Sequence, residues 1–461
     1  MRLKTRRPAA LALGVCALLF PATSSATSTA RQIKAAKAAG VGYFASIQNA
    51  DGSFPGFAND WALGALAAAG RAAADMTQSG GSADARTYYR GLFGDPTTWP
   101  GGSEPSVTEF ERAALNAYAA GVDPARVSTR QNLIAQIVAR YQPGAPGYYG
   151  SPTNFSGALF GLLSLAEART RSGGQRVPQS LLARSIAVVR ANQHNDGGWT
   201  FERAEGNPAK LAAASEPDET GAAMAALCSA GVAGSDPAIV HAAHYLETDL
   251  ASSSGAFNAP FGANTDSNAW AVQGLDACAI DPQGAEFTTS AGKTPIDFLL
   301  SQQLGGGGFV FETGETFASE YSSQDALRAI SGASFTAKPP ATAHGPKWVF
   351  SSAFEAGVES LVTLVVDDTT NPIHACAVPL SPASASGTLA GLLEAASSTA
   401  KPASCVTGFQ PGSGNGAITQ LDGSPATPEA RWQVSIDGGR EKPARRSTKV
   451  RLGDTVSLRL H

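Results

Sequence analysis

The chain has 461 residues, of which 43% are hydrophobic and 16% charged, with 50 glycines and a formal net charge of −4. That length holds a large core and two domains. The acidic balance argues against nucleic acid as partner, and no run beyond the first residues is long and charge-free enough to span a bilayer.

In chain order, Arg2, Lys4, Arg6 and Arg7 give a basic start, Ala9 to Phe20 an apolar run, and Ser24-Ser25-Ala26 small residues for cleavage. This predicts a secretory signal over 1–26, too short to anchor in a membrane. Val15 before Cys16 is not the small residue a lipoprotein site wants, and Arg6-Arg7 leaves a twin-arginine export route open. A secreted, extracellular chain is expected. Without the signal it carries 30 basic against 38 acidic residues and four cysteines, Cys228, Cys278, Cys376 and Cys405. An even count outside the cell predicts two disulfides.

A joint then recurs: "QNADGSF" (48–54), "QHNDGGW" (193–199) and, in weaker form, "QLGGGGF" (303–309), each with Gln six residues before an aromatic. Each joint leads into a run rich in Ala and small residues, from Asp60, Asp218 and Glu320, and three more such runs start at Thr108, Asn154 and Asp266. Several end at a glycine, namely Gly70, Gly121, Gly231 and Gly332. A helix that is apolar on nearly every side must be buried on nearly every side. Between these runs lie amphipathic segments starting at Arg130, Ser180, Asp236 and Thr294. Inner helices alternating with outer ones, about six of each, predict an α6/α6 barrel. The joint followed by its helix resembles the repeat of the squalene cyclases and protein prenyltransferase β subunits, and the resemblance covers residues 31–333.

After Gly332 the segment "SFTAKPPATAHGP" predicts a linker over 334–346, and a second domain is expected over 347–461. Its runs "SLVTLVVDD", "ACAVPL", "GAITQL", "WQVSIDG" and "VSLRL" alternate like half-buried strands, interrupted by one helix, "GTLAGLLEAA". The Leu-rich helix, Trp432 and "LGD" (452–454), in that order, resemble the C-terminal domain of the transcobalamin and intrinsic-factor family, also found alone in bacterial surface proteins. The expected fold is therefore mainly α, an α6/α6 barrel with a small C-terminal α+β domain. Cobalamin carriers of that family share this order, and the resemblance implies a corrinoid held between the two parts.

A fold hosts sites without naming an activity. The cyclase resemblance implies an Asp-x-Asp-Asp acid that protonates an alkene, but residues 31–333 hold no such cluster and "VVDD" (365–368) falls in the tail. The prenyltransferase resemblance implies zinc on Asp-x-Cys and a His. Asp276-Ala-Cys278 lies at the wrong end of its helix, and the next inner run has no His. Cys228 and Cys278 instead finish adjacent inner runs at one rim, which predicts that they pair, leaving Cys376 to pair with Cys405. His241, His244 and Glu247 share a face of an outer helix, where solvation is the ordinary reading. No metal is expected; His194, in the second joint, is a weak candidate for an axial ligand if a corrinoid binds.

The barrel mouth, where inner runs begin, is expected to gather ligand-binding residues from all six. These are Asp60 and Trp61 of the first, Glu109 and Phe110 of the second, Asn154 and Phe155 of the third. Asp218 and Thr220 come from the fourth, Asp266, Asn268 and Trp270 from the fifth, Glu320 and Tyr321 from the sixth, with Trp432 of the tail closing over them. Several of these polar residues also suit helix capping. Three readings follow: a secreted binding protein for a corrinoid or other bulky amphipathic ligand, a terpene-cyclase-like enzyme using a mouth carboxylate as its acid, or a cell-wall scaffold or adhesion protein. The basic run Arg440, Lys442, Arg445, Arg446, Lys449 and Arg451 suits a solvated hairpin face or docking on an acidic surface, either the barrel rim or an anionic cell-wall polymer.

Overall fold

The computed structural model describes residues 28–56, 58–94, 99, 106–128, 131–171, 177–340, 360–368, 373–380, 387–403, 405–412, 416–451 and 453–461. The signal expected over 1–26 lies outside the described residues.

The first part runs α1 (Ala30–Ile47), α2 (Ala58–Ala68), α3 (Ala85–Gly91), α4 (Val107–Ala119), α5 (Leu133–Val138), α6 (Ser156–Arg171) and α7 (Gln179–Ala191). It continues with the single turn α8 (Pro208–Leu211), α9 (Pro217–Ser229), α10 (Pro237–Thr248), α11 (Thr265–Ala277), α12 (Pro295–Ser301) and α13 (Glu320–Ala329). The inner helices α2, α4, α6, α9, α11 and α13 each pack on the next, and α13 returns to α2, which closes the ring. The outer helices α1, α3, α5, α7, α10 and α12 lie against them. This is the α6/α6 barrel, among whose described residues no helix is long and apolar enough to cross a membrane.

Local chemistry sets these boundaries. Asn264 caps α11 by accepting from Ser267 N at 2.8 Å, and Ser319 caps α13. Outer helices α10 and α12 begin with proline at the first turn behind Asp236 and Thr294 caps. At the far end, the turn after α4 is closed by Val122 N bonding to Ala117 O at 2.8 Å, a bond that Gly121 permits with φ of 76°. Helices α9 and α11 approach more closely than side chains would allow. A Cβ on Gly274 would stand 2.3 Å from Gly221 O.

That approach delivers the expected pairing: Cys228 and Cys278 form a disulfide with Cα atoms 5.3 Å apart, and Cys376 and Cys405 form the second at 6.0 Å. The first closes a 50-residue loop. Replacing both of its cysteines by serine should therefore cost about 4 kcal/mol of stability by chain entropy, measurable by urea unfolding.

The second part holds β1 (Ser360–Asp367), β2 (His374–Leu380), α14 (Leu389–Thr399), β3 (Phe409–Pro411), β4 (Ile418–Leu421), β5 (Ser424–Pro425), β6 (Trp432–Ile436), β7 (Lys442–Pro443) and β8 (Thr455–Leu460). Its main sheet has the order β2-β1-β8-β6-β7, parallel only at β1–β8, and a smaller sheet is β3-β4-β5. One face of the main sheet, with Val362, Leu364, Val378, Val434 and Leu458, shares a core with Leu389, Leu392 and Leu393 of α14.

The other face is not solvated. Val365, Ile373 and Ala375 join the hydrophobic core of the barrel, and both β1 and β2 pack on α5. This corrects the reading of the segment from Arg130 as an ordinary amphipathic outer helix. In α5, Leu133, Ile134, Ala135, Ile137 and Val138 are all buried, because the sheet covers the face that would otherwise meet water. Polar contacts fix the docking: Asn132 Nδ2 donates to Leu361 O at 3.1 Å, and Arg126 Nη2 donates to Asp437 Oδ2 and Asp454 Oδ1, each at 3.2 Å.

Candidate functional site

All six inner helices begin at the mouth. The loop from α4 to α5, which carries Arg126 and Asn132, leaves the opposite end, so the C-terminal domain docks where the inner helices finish. The mouth is therefore not covered by that domain. Trp432 lies in the domain's own core, 2% exposed, with Nε1 donating to Ser424 O at 3.1 Å. It does not close over the mouth, because its strand uses it to pack on α14.

The other expected site residues divide. Trp61, Asp218, Asp266 and Trp270 line the interior at the mouth, all half-buried. Glu320 and Tyr321 stand in the first turn of α13, Tyr321 exposed. The side chain of Asp60 is outside the described residues. The rest serve the frame. Thr220 Oγ1 accepts from Trp199 N at 3.0 Å and so ties the second joint to α9. Asn154 caps α6 by accepting from Ser156 N at 2.9 Å, Asn268 is buried with its amide on the Phe257 backbone, and Phe155 is fully buried. Phe110 is buried beneath Arg140, whose Cζ lies 4.4 Å from the ring centre, and Glu109 pairs with Arg112.

His194 is only 5% exposed, and its Nδ1 lies 3.0 Å from Ala213 O, under the loop that leads to α9. The ring is buried beneath that loop, and its Nε2 is enclosed without a hydrogen-bond partner among the described residues. Cys278 is in a disulfide and His244 pairs with Glu247 at the surface. Among the described residues no group of three His, Cys, Asp or Glu could hold a metal ion.

Below the mouth, the lumen is filled by a residue that periodicity did not mark. Phe335, just past α13, turns back into the barrel and is 2% exposed. Its ring stands edge-on to Trp270 at 5.1 Å, Phe160 at 6.0 Å and Trp61 at 6.2 Å between centres. Arg328 lies over the Trp61 ring at 4.6 Å and donates to Trp61 O at 3.0 Å and to Gln273 Oε1 at 3.3 Å. Two residues further on, Ala337 packs with Ala67 of α2 and Ala119 of α4, so the described part of the 334–346 segment lies on the far end of the barrel.

Trp270 Nε1 donates to Asp325 Oδ2 at 2.9 Å, and Asp325 faces Arg328 at 3.9 Å. Burial raises the Asp325 carboxyl above the ordinary range despite Arg328, and lowers Arg328. Asp266 is raised by burial and then by Asp218, while Ser322 opposes the shift. The sequence did carry a signal for the first pair, an Asp and an Arg three apart inside a run that must be buried, "SSQDALRAI".

Glu219, beside them, is pushed up to about 8 by burial first and by Asp218 and Glu216 second. Since its folded value lies above that of an unfolded glutamate, the acid favours folding below about pH 4, and that stability is lost as pH rises through 8. Glu219→Gln should therefore raise stability at pH 8 by on the order of 3 kcal/mol and leave pH 4 unchanged, a difference visible in thermal melts at the two pH values.

The rim above is formed by the loops leading into α9, α11 and α13. Each presents one phenylalanine to solvent: Phe201 is 53% exposed, Phe261 88% and Phe317 85%. Phe201 O accepts from Phe155 N, which places that loop over the start of α6. Sequence reading missed all three, although each stands alone among Gly, Ala and polar residues where no core helix could use it.

No protein-family model matches this chain. No curated protein matches it either. Among solved structures, the type II terpene cyclase MstE from Scytonema in its apo form is 15% identical, covering 66% of this chain and 98% of that one with a TM-score of 0.46. Haptocorrin in complex with Cbi is 13% identical, covering 94% and 97% with a TM-score of 0.39. The ent-copalyl diphosphate synthase from Streptomyces platensis is 15% identical, covering 60% and 49% with a TM-score of 0.40. At such scores the fold rests on the closed helix ring itself.

Proposed function

We propose that this chain is an exported binding protein that holds a bulky amphipathic ligand, a corrinoid being the first candidate, at the open mouth of its barrel. One observation carries the reading: three phenylalanines from three equivalent loops stand in solvent around the same mouth. Together they give the mouth apolar surface on which the face of a bulky ligand can rest. Asp218, Asp266 and Glu320 below the rings offer acceptors for the polar part of the ligand. Phe335 fills the lumen, so the ligand rests on the rim and is not swallowed. Two disulfides suit an oxidising compartment. Titration with aquocobalamin, read by its visible spectrum and by quenching of tryptophan fluorescence, should give saturable binding in the wild type. Phe201→Ser, Phe261→Ser and Phe317→Ser together should weaken it at least tenfold. Absence of any saturable signal removes the corrinoid.

A second reading has its own observation. Asp325 is a buried acid, raised in pKa, beside aromatic rings that can face a carbocation. In that reading the protein is a terpene-cyclase-like enzyme and Phe335 must leave for the substrate to enter. Cyclised product from squalene or geranylgeranyl diphosphate with Phe335→Ala, absent with Phe335→Ala/Asp325→Asn, would support it. No product with either would exclude it.

A further inference from the structure

The C-terminal domain carries a charged edge that neither reading uses. Between residues 440 and 451 there are six cations, Arg440, Lys442, Arg445, Arg446, Lys449 and Arg451, all exposed, in a chain whose net charge is −4. None of the six makes an ion pair among the described residues, whereas Arg126, Arg190, Arg203 and Arg459 all do. The single acid of the run, Glu441, is engaged elsewhere, with Oε2 3.1 Å from His461 Nε2 and Oε1 3.7 Å from Arg459 Nη1.

The backbone under these cations is held at both sides. Ala444 N bonds to Trp432 O at 3.0 Å, Arg446 N to Gly416 O at 2.9 Å, and Leu389 N, at the start of α14, to Thr448 O at 2.8 Å. Val450 N bonds to Gly387 O at 2.9 Å, and Ala444 and Val450 point into the core. The cations therefore stand on a fixed edge made of a short strand, Lys442–Pro443, and a turn at Arg446 closed by Thr448 N bonding to Arg445 O at 3.0 Å. A mobile tail of the same composition would lose more freedom on binding.

We propose that this edge is a docking surface for a linear phosphodiester polymer without bases, such as poly(glycerol phosphate). Six unpaired, pre-positioned cations match a repeating anion by charge. The choice of polymer follows from what the edge lacks. Residues 440–451 include no Phe, Tyr or Trp, and Trp432 is buried, so no aromatic ring there can intercalate with bases or enter a bilayer, and only the guanidinium planes are left to meet a base. The two disulfides suit a setting outside a reducing cytosol, where such polymers occur.

Binding of the full chain to poly(glycerol phosphate), followed by fluorescence anisotropy from 50 to 200 mM NaCl, tests this. The logarithm of affinity should fall with the logarithm of salt with a slope of about −4, as six contacts require on a flexible polyanion. Arg445→Gln/Arg446→Gln should reduce the slope to about −3, and Lys442→Gln/Lys449→Gln should do the same, which guards against a folding defect in either pair. A single-stranded oligonucleotide with the same number of phosphates should bind no more tightly. Tighter binding of the oligonucleotide, tighter binding of phosphatidylglycerol vesicles, or a slope that neither pair of substitutions changes would each overturn the proposal.

Discussion

Phe335→Ala is expected to destabilise the protein by about 3–5 kcal/mol, the usual penalty for emptying a site filled by a buried phenyl ring. At the entropy of unfolding of a domain this size that corresponds to a fall in Tm of about 6 °C. The vacated space would be lined by Trp61, Phe160 and Trp270, whose rings now stand edge-on around Phe335. The Arg328 guanidinium, with Cζ 6.0 Å from the Phe335 ring centre, completes the lining, so an aromatic guest that can face both the rings and the cation fits best. Benzene should thus restore part of the lost Tm in the variant and leave the wild type unchanged. A surface location for Phe335 would instead give a shift below 1 °C and no response to benzene. The substitution also separates the two functional readings, because rim binding does not need the lumen and cyclisation does.

Gly453→Val is the second large effect. Gly453 has φ of 76°, and a Cβ there would lie 2.6 Å from Ala125 O and 2.5 Å from Arg126 Cγ. A β-branched residue adds backbone strain to that overlap, so about 3 kcal/mol or more of docking free energy should be lost. The C-terminal domain then leaves α5, exposing a helix that is apolar except at Gln136. Small-angle scattering should show a larger radius of gyration, and hydrogen exchange should quicken in α5, β1 and β2. Arg126→Ala should act in the same direction with a smaller effect, since it leaves the nearly buried Asp454 carboxylate without its cation. Because the domain sits at the far end of the barrel, neither change should alter binding at the mouth. A loss of mouth affinity on undocking would show that the ligand spans both parts.

The contrast between what the chain announces and what it conceals has a physical basis. The inner helices were legible because Ala and small residues recur on all sides and polar caps precede them, so "DETGAAMAALCSAG" from Asp218 could belong only to a buried helix. The joints were legible because Gln193 ties the turn together: its side-chain amide reaches Gly197 O at 2.7 Å and Ala238 O at 2.8 Å in α10, the next outer helix. The disulfides followed from the barrel itself. The mouth was harder, because a polar residue at a helix start caps the helix or faces the lumen according to its rotation. Thr220 and Asp218 are two apart, yet one serves the joint and the other the interior.

Long-range choices left fainter marks. "LIAQIV" in α5 is apolar except at Gln136, a sign that something beyond the barrel covers it, but the sheet that does so is more than 200 residues away. Trp432 looked like a lid because aromatic residues often close sites. Only the strand register, with Trp432 opposite Leu460, assigns it to the core. Phe335 follows the last helix with no repeat to place it, and its burial depends on the lumen being wide enough for one more ring.

The most direct test of the mouth as the binding surface is hydrogen–deuterium exchange of the full chain with and without aquocobalamin. Protection is expected in the three rim loops, 199–216, 258–264 and 311–319, and in the first turns of α9, α11 and α13. Protection confined to α5, β1 and β2, or no protection anywhere in the presence of saturating ligand, would contradict it.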